Sequence, residues 1–237
     1  MSRSFEILQW DSNFFGFKVA KMGNSFCVET LQETLAELRA ENVKLAYCFV
    51  APDDFERNEA LNNAGGKLVD QKVKYCIEKA SLTEASKANV IHFEGSQPTP
   101  EMFEIALQTS EHSRFRIDKG FGHDTCNRLY QQWITNSVKG QFDDTVFVYT
   151  RNDEILGLVS LKLTPKAGKI GLLGVDKNAR GLKVGTALLN QAISFTKQSG
   201  IDKLEVYTQK ANKAACEFYE KNSLKSCEQI NVYHLWL

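Results

Sequence analysis

Residues 170–224 decide the fold, and they read IGLLGVDKNARGLKVGTALLNQAISFTKQSGIDKLEVYTQKANKAACEFYEKNSL. The apolar run at 170–175 predicts a strand, and a polar turn leads from it into an amphipathic helix at 182–199. A second strand is predicted at 203–208 and a second helix at 213–222. This order indicates a strand–turn–helix unit followed by a strand–helix unit, as in α/β proteins.

The polar turn has the chemistry of an anion-binding site. Backbone N–H groups in the first turn of a helix have no intrahelical acceptor, and they lie at the positive end of the helix dipole. Glycines let the backbone approach phosphate oxygens closely, and the two basic residues add positive charge. The residues expected to bind a pyrophosphate are Arg180, Gly181, Lys183, Val184, Gly185 and Thr186. The alternative is an ordinary strand–turn–helix unit, because short glycine motifs often occur by chance.

The turn resembles the acetyl-CoA loop of the GNAT N-acetyltransferase family, which typically reads Gln/Arg-x-x-Gly-x-Gly/Ala. Arg180 and Gly185 match that pattern, whereas Lys183 stands where the family has its middle glycine. A lysine at this position could itself meet a phosphate.

A second partial motif follows at the spacing of the same family. Asn212, Ala215 and Tyr219 match the family's Asn, Ala and Tyr, and Ser223-Leu224 replaces its closing Gly-Phe. The resemblance implies that Tyr219 protonates the leaving thiolate, since a phenol with a pKa near ~10 is protonated at neutral pH. Asn212 would bind the pantetheine arm or cap its helix. A tyrosine packed in the core is the alternative.

The resemblance also assigns a role to the end of the first strand. In the family this strand splays from its neighbour, and its free backbone groups bind pantetheine. Leu173, Gly174 and Val175 are the residues expected there. One of their N–H groups would polarise the thioester carbonyl. A fully paired buried strand is the alternative.

A closer resemblance, to dTDP-fucosamine N-acetyltransferases, covers nearly the whole chain. It rests on WDSNFFGF at 10–17, SRFRID at 113–118 and LYQQWITNSVKGQFDD at 129–144. These enzymes acetylate the amine of a nucleotide-linked deoxysugar that is used for surface polysaccharide. The resemblance therefore implies two small-molecule substrates, acetyl-CoA and a dTDP-linked amino sugar.

The resemblance indicates which residues would meet the acceptor. Asp70 aligns with an acidic residue near the sugar and is the first candidate for the general base, and Asp11 is the second. Arginine forks match diphosphate oxygens, and aromatic rings can stack on a base or pack on a methyl group. The expected substrate residues are Asp11, Phe14, Phe15, Arg114, Arg116 and Tyr130. Solvated carboxylates and core aromatics are the alternatives.

Composition narrows the class of protein. The chain has 237 residues, of which 29 are basic and 29 acidic, so no overall charge favours nucleic acid or an anionic membrane. Nothing in the sequence resembles a membrane span or a signal peptide, which favours a cytoplasmic protein. The six cysteines are widely spread and are expected to be reduced thiols. The four histidines have no ligand spacing, so no metal site is expected.

The pattern along the chain predicts two units. Residues 1–92 read as a small β-β-α-β-α-β domain on the nucleotide-sugar side, in which residues 5–10 form a strand. Residues 93–237 read as the GNAT catalytic domain, with a loop at 113–122. The expected fold class is α/β with a mixed sheet, the first domain being a smaller GNAT-like copy of the second. A final strand at 228–237 would offer an exposed edge for a homodimer.

Two other functions remain open at this stage. A GNAT enzyme could act on a protein, a peptide or a small amine, although the additional N-terminal unit and the Arg-Phe-Arg segment favour a nucleotide sugar. A non-catalytic acyl-CoA sensor is weakly favoured by Lys183 and disfavoured by Tyr219, because a sensor needs no proton donor.

Overall fold

In the first third of the chain, apolar residues recur at the spacing of strands in some segments and of helices in others. The described residues up to 78 form four strands and three helices. The computed structural model describes residues 4–23, 26–78 and 89–237. The elements of this part are β1 Phe5–Ile7, α1 Gln9–Phe15, β2 Lys18–Met22, α2 Leu31–Ala40, β3 Val43–Val50, α3 Phe55–Asn63 and β4 Lys67–Glu78.

The described residues from 89 onward add six strands and five helices. They are β5 Val90–His92, α4 Pro100–Gln108, α5 Arg114–Ile117, α6 Thr125–Val138, β6 Thr145–Arg151, β7 Glu154–Leu163, β8 Gly168–Val175, α7 Val184–Gln198, β9 Lys203–Gln209, α8 Lys213–Lys221 and β10 Lys225–Trp236. A short 3₁₀ turn, Lys177–Ala179, joins β8 to the loop before α7.

All ten strands of the described residues belong to one mixed sheet, in the order β1-β2-β3-β10-β4-β9-β8-β7-β6-β5. The pairs β2–β3 and β8–β9 are parallel, and both are joined through a helix. The other neighbours are antiparallel. This confirms the predicted mixed α/β sheet.

The two halves of the chain exchange their last strands. β10 ends the C-terminal half but lies between β3 and β4, and β4 ends the first half but pairs with β9. The sheet is therefore continuous across the predicted boundary at residue 92. The division into two domains remains a prediction.

Helices cover both faces of the sheet. On one face, α2 and α3 pack on β3 and β10, and α7 and α8 pack on β4, β8 and β9. On the other face, α4 and α6 pack on β6, β7 and β8, while α1 and α5 pack near β2, β3 and β10. We call the second face the acceptor face, because Asp70, which the sequence predicts to lie near the acceptor, projects from it. Tyr47 and His234 project from the same face.

Three local predictions from the sequence were wrong. The strand expected at 5–10 ends at Ile7, because the following residues form the helix α1, which ends at Gly16 in the left-handed region (φ 77°). The loop expected at 113–122 contains the helical turn α5, capped by the Ser113 side chain, which accepts from Phe115 N–H. The short strand β5 was not predicted.

The predicted exposed edge at 228–237 was also wrong. This segment belongs to β10, which is hydrogen-bonded on both sides by β3 and β4. Its burial pattern shows the same thing, because residues 231–235 are buried. The edges of the sheet are β1 and β5 instead.

The cysteine prediction was wrong for one pair. Cys76 on β4 and Cys227 on β10 form a disulfide, with Cα atoms 6.2 Å apart. The two strands are neighbours, which the sequence separation of 151 residues conceals. The four remaining cysteines are free, and two of them, Cys48 and Cys126, are buried. Within the described ranges, no helix has both the length and the apolar character needed to cross a membrane.

Candidate active site

The strands β8 and β9 part in the middle of the sheet. Their parallel pairing runs only from Gly168 opposite Leu204 to Ile170 opposite Val206. Beyond that point β8 remains paired with β7 as far as Val175, and β9 remains paired with β4 as far as Gln209. The sheet therefore has a wedge-shaped opening between the C-terminal ends of β8 and β9.

Backbone groups of β8 line this opening. Leu172 N–H donates to Ser160 Oγ at 2.9 Å and Asp176 N–H donates to Leu156 O at 2.9 Å, so these groups point toward β7. Groups alternate sides along a strand, and the N–H and C=O of Leu173 and Val175 therefore point toward β9. Both were predicted to bind pantetheine, and their orientation suits that role.

Gly174, the third predicted residue of β8, has a packing role. A Cβ on Gly174 would lie 2.7 Å from side-chain atoms of both Ile105 and Thr109, so its absence lets α4 approach the sheet. Its contact with pantetheine remains a prediction.

The loop after β8 fits a pyrophosphate. Val184, Gly185 and Thr186 form the first turn of α7, as predicted, and no side chain caps this 15-residue helix. Its first N–H groups are therefore available to an anion. Gly181 has a φ of 84°, and Lys183 adopts φ 62° at the N-cap. Lys183 thus keeps the left-handed backbone that a glycine would take, while Arg180 and Lys183 lie exposed at the mouth.

The helix α8 closes the opening on the face opposite the acceptor face. A Cβ on Gly185 would lie 3.3 Å from the Phe218 ring and 3.5 Å from Val175, so α8, α7 and β8 meet closely. Tyr219 is 5% exposed and packs beside Tyr75 with ring centroids 5.5 Å apart. Burial raises the pKa of Tyr219, which keeps its hydroxyl protonated. The Asn212 side chain caps α8 by accepting from Ala215 N–H at 3.1 Å.

A cluster of charged and polar side chains lies on the acceptor face, and Arg114 is its centre. We call it the Arg114 cluster. Its guanidinium carbon lies 4.3 Å from the Tyr47 ring centroid and 4.7 Å from that of Phe115. The charge of the same guanidinium also acts on the pKa values of six side chains around it. These side chains are Asp11, Tyr47, Asp70, Lys72, Tyr130 and His234.

Asp70 has the properties expected of a general base. It is 8% exposed, and burial raises its pKa to about 6, against the opposing effects of Lys72 and Arg114. Lys72 lies beside it on the same face of β4, and burial, with Arg114, lowers its pKa to about 8. Lys72 is paired with Gln209, in the part of β9 that no longer pairs with β8. Asp70 thus lies one strand away from the opening.

Asp11, the second candidate for the base, belongs to the same cluster. It is half-buried on α1, and burial raises its pKa while Arg114 opposes the shift. Its carboxylate neighbours the Tyr47 hydroxyl, but the two groups do not meet the geometry of a hydrogen bond.

A histidine–aspartate pair completes the cluster. His234 is fully buried, and its Nδ1 lies 2.6 Å from Asp118 Oδ2, which also accepts from Trp236 Nε1 at 2.9 Å. Burial and Arg114 lower the pKa of His234 to about 4, so the ring is neutral at pH 7. Burial opposes the charge on Asp118, but hydrogen bonds from Gly120, His234 and Trp236 hold its pKa below the usual value.

The other predicted substrate residues are engaged in packing. Tyr130 is 6% exposed on α6, and burial raises its pKa to about 12. Phe15 packs against Phe115 and Phe121, and Phe14 stacks on Trp10 with centroids 5.2 Å apart.

The Arg116 guanidinium makes hydrogen bonds within the protein. Its Nη2 donates to Ser110 Oγ at 2.6 Å and to Asn127 Oδ1 at 2.8 Å, which holds α5 against α6. Its role at the diphosphate remains a prediction.

Sequence reasoning missed Tyr47, Lys72, Asp118 and His234. Tyr47 and His234 lie within apolar strands and read as core residues. The available signal was the lone histidine in the apolar run NVYHLWL at 231–237, since a buried histidine needs partners. Over the ranges that the structure describes, no group of three or more His, Cys, Asp or Glu side chains could hold a metal ion.

Comparison with known proteins identifies the family. The acetyltransferase (GNAT) family matches residues 103–223, just over half of the chain. The chain therefore belongs to the GNAT acetyltransferase family, and it is an acetyl-CoA-dependent N-acetyltransferase.

Individual relatives agree with this assignment. The dTDP-fucosamine acetyltransferase of Escherichia coli O6:H1 is 28% identical over 99% of this chain and 97% of its own length. The mycothiol acetyltransferase of Sanguibacter keddieii is 33% identical, but over only 40% of this chain and 30% of that protein. A GCN5-related N-acetyltransferase structure from Sphaerobacter thermophilus shares the fold, with a TM-score of 0.64, 13% identity and coverage of 98% and 75%.

Two glycine substitutions test the role of Lys183. Lys183 and Ser223 both adopt left-handed φ values, 62° and 67°, so Lys183→Gly and Ser223→Gly each relieve strain and should stabilise the fold by about 1 kcal/mol. Only Lys183→Gly removes a charge at the α7 N-terminus, and it should weaken acetyl-CoA binding by about fivefold. Titration calorimetry measures the affinity for acetyl-CoA, and thermal unfolding measures the stability. Equal acetyl-CoA affinity in both variants would exclude a phosphate contact by Lys183.

Substitution of Asn212 separates capping from coenzyme binding. Asn212→Ala removes the cap of α8 and should cost about 1 kcal/mol of unfolding free energy, whereas Asn212→Ser keeps a capping oxygen and most of the stability. If Asn212 also binds pantetheine, Asn212→Ser should still raise the KM for acetyl-CoA. Full recovery of both properties in Asn212→Ser would show that Asn212 only caps.

Proposed function

We propose that the chain transfers the acetyl group of acetyl-CoA to the amine of a dTDP-linked amino-deoxysugar, of the dTDP-4-amino-4,6-dideoxygalactose (dTDP-fucosamine) type, for surface polysaccharide. The observation that carries the proposal is the Arg114 cluster on the acceptor face, whose member Asp70 lies one strand away from the opening between β8 and β9. The relative that spans nearly the whole chain, named a dTDP-fucosamine acetyltransferase, supports the same acceptor.

The coenzyme part of the site comes from β8, α7 and the loop between them. Acetyl-CoA supplies an acetyl thioester, which the acceptor amine attacks directly in a ternary complex. The first-turn N–H groups of α7, with Arg180 and Lys183, bind the pyrophosphate. The backbone of Leu173 and Val175 holds the pantetheine arm, and an N–H in this segment polarises the thioester carbonyl.

Proton transfer uses groups on opposite faces of the sheet. Asp70, on the acceptor face, accepts the proton of the amine, and its raised pKa of about 6 makes it a better base than an ordinary carboxylate. Tyr219, on the face of α8, protonates the departing thiolate. The opening between β8 and β9 connects the two faces. Asp70 can therefore deprotonate the amine from one face while Tyr219 protonates the thiolate from the other.

The acceptor is bound by the remaining members of the cluster and by α1, α5 and α6. Asp11, Arg114 and Tyr130 contact the sugar nucleotide, and Phe14 and Phe15 provide aromatic surface for it. Arg116 contributes to the diphosphate only if it exchanges its bonds to Ser110 and Asn127. A polyamine fits this site poorly, because its positive charges would meet two basic side chains of the cluster, Lys72 and Arg114.

The finer expectations about the whole protein also belong to this proposal. They are a cytoplasmic location, a nucleotide-sugar domain at 1–92 joined to a catalytic domain at 93–237, and a homodimer. The edge strands β1 and β5, rather than β10, are the strands that a partner could extend.

The direct test is an assay of thiol release from acetyl-CoA with a panel of amino-sugar nucleotides, a peptide and a polyamine. Release that requires a dTDP-linked amino-deoxysugar supports the proposal. Release with the peptide or the polyamine alone would retain the acetyltransferase chemistry and exclude the sugar acceptor.

Removal of the Tyr219 hydroxyl tests the proposed acid. Tyr219→Phe should lower kcat by about 100-fold and leave the KM for acetyl-CoA within twofold, because only the departing thiolate needs the proton. The matched control is Tyr75→Phe, since Tyr75 is the adjacent buried ring and its hydroxyl donates to Glu220 at 2.8 Å. An unchanged kcat in Tyr219→Phe would assign the acid to another group.

The pH profile tests the proposed base. A carboxylate with a pKa of about 6 gains basicity as the pH rises, so kcat/KM should increase through pH 6 and level off above it. Asp70→Asn should lower kcat/KM by about 100-fold and abolish this acid limb. Asp11→Asn is the control, because Asp11 is the second candidate. Loss of the acid limb in Asp11→Asn alone would exchange the two roles.

A further inference from the structure

Unsatisfied polar atoms concentrate in one place on the acceptor face. Within the described ranges, four buried side-chain atoms have no hydrogen-bond partner: Tyr47 Oη, Arg114 Nη1, Thr145 Oγ1 and His234 Nε2. Three of them belong to the Arg114 cluster. Leaving a buried donor or acceptor unpaired is costly, so a concentration of such groups indicates a place that a polar ligand fills.

The three groups differ in what they accept and donate. His234 Nδ1 is held by Asp118, so in the neutral ring its proton lies there and Nε2 is an acceptor. Arg114 Nη1 can only donate, and the Tyr47 hydroxyl can do both. The rings of Tyr47 and His234 lie side by side, with centroids 4.9 Å apart, on neighbouring strands.

This combination selects a hydroxyl group. A ligand hydroxyl can donate its proton to His234 Nε2 while its oxygen accepts from Arg114 Nη1. A phosphate dianion or carboxylate has no proton for the imidazole, and an ammonium group has no lone pair for the guanidinium. The aromatic rings around these groups suit the apolar face of a sugar ring.

The position relative to Asp70 suits the same molecule. Asp70 is opposite Val232 on β10, and His234 lies two residues further along β10. A register shift between Val232 and Tyr233 separates the two residues, but Val232 and His234 lie on the same side of β10, so the Asp70 and His234 side chains lie on the same face of neighbouring strands. A sugar with its amine at Asp70 would thus present a neighbouring hydroxyl to the three unsatisfied atoms.

We propose that Tyr47, Arg114 and His234 form a subsite for the sugar hydroxyl next to the acceptor amine, with Asp118 as a positioning residue for His234. The inference rests on the proposed function and deepens it, because it assigns the specificity for a vicinal amino alcohol to residues that carry no thioester chemistry.

The test compares two acceptors that differ by this hydroxyl: dTDP-4-amino-4,6-dideoxygalactose and its 3-deoxy analogue. The wild-type enzyme should prefer the hydroxylated acceptor by about 100-fold in kcat/KM, because the analogue leaves buried groups unpaired. Tyr47→Phe should reduce this preference to about tenfold. His234→Asn keeps an N–H for Asp118 but lacks Nε2, and it should lower the preference to about twofold.

Two controls separate recognition from folding. Tyr47→Phe removes an unpartnered oxygen from the core, so it should unfold at the wild-type temperature or above it. Thr145→Val removes the fourth unsatisfied atom, which lies on β6 outside the cluster, and it should leave the preference at the wild-type value. Equal losses with both acceptors in Tyr47→Phe and His234→Asn would indicate a structural role and overturn the subsite.

The wild-type result distinguishes this inference from the proposed function. Acetylation of both amino-sugar nucleotides at equal kcat/KM would overturn the subsite and leave the proposed function intact. Acetylation of neither would overturn both.

Discussion

The incomplete pairing of β8 with β9 is the constraint on which the site depends. A parallel pair that stays joined offers no passage through a sheet, whereas this pair separates after Ile170 and Val206. Each strand keeps its other neighbour beyond that point, because β8 remains hydrogen-bonded to β7 and β9 remains hydrogen-bonded to β4. Because β4 comes from the first half of the chain, the N-terminal half contributes directly to the opening between β8 and β9.

The charged side chains of the Arg114 cluster are partly or fully removed from solvent. The Arg114 guanidinium lies over the rings of Tyr47 and Phe115, and its charge acts on Asp11, Asp70 and Lys72. Such a cluster is expensive in a core unless a ligand completes it. The desolvation that makes it expensive also raises the pKa of Asp70, and a carboxylate with a raised pKa is a stronger base. In the proposed function, the same burial serves both recognition and proton transfer.

The sequence predicted local structure well and long-range structure poorly. The strand at 203–208 and the helix at 213–222 were predicted to within one residue at each end, because periodicity and helix-start signals are local. The phosphate loop is contiguous and resembles a family motif. The strand exchange has no local signature, so β10 was taken for an edge. The Arg114 cluster gathers residues from six elements, and His234 read as an ordinary core residue.

In the proposed mechanism, the acceptor amine meets the thioester from the face that carries Asp70. The most direct measurement is a crystal structure of the enzyme with CoA and dTDP-4-amino-4,6-dideoxygalactose bound together. We expect the pyrophosphate of CoA at the N-terminus of α7 and the sugar amine about 3 Å from the Asp70 carboxylate, or one water away. A sugar bound on the face of α8, or an amine remote from Asp70, would contradict it.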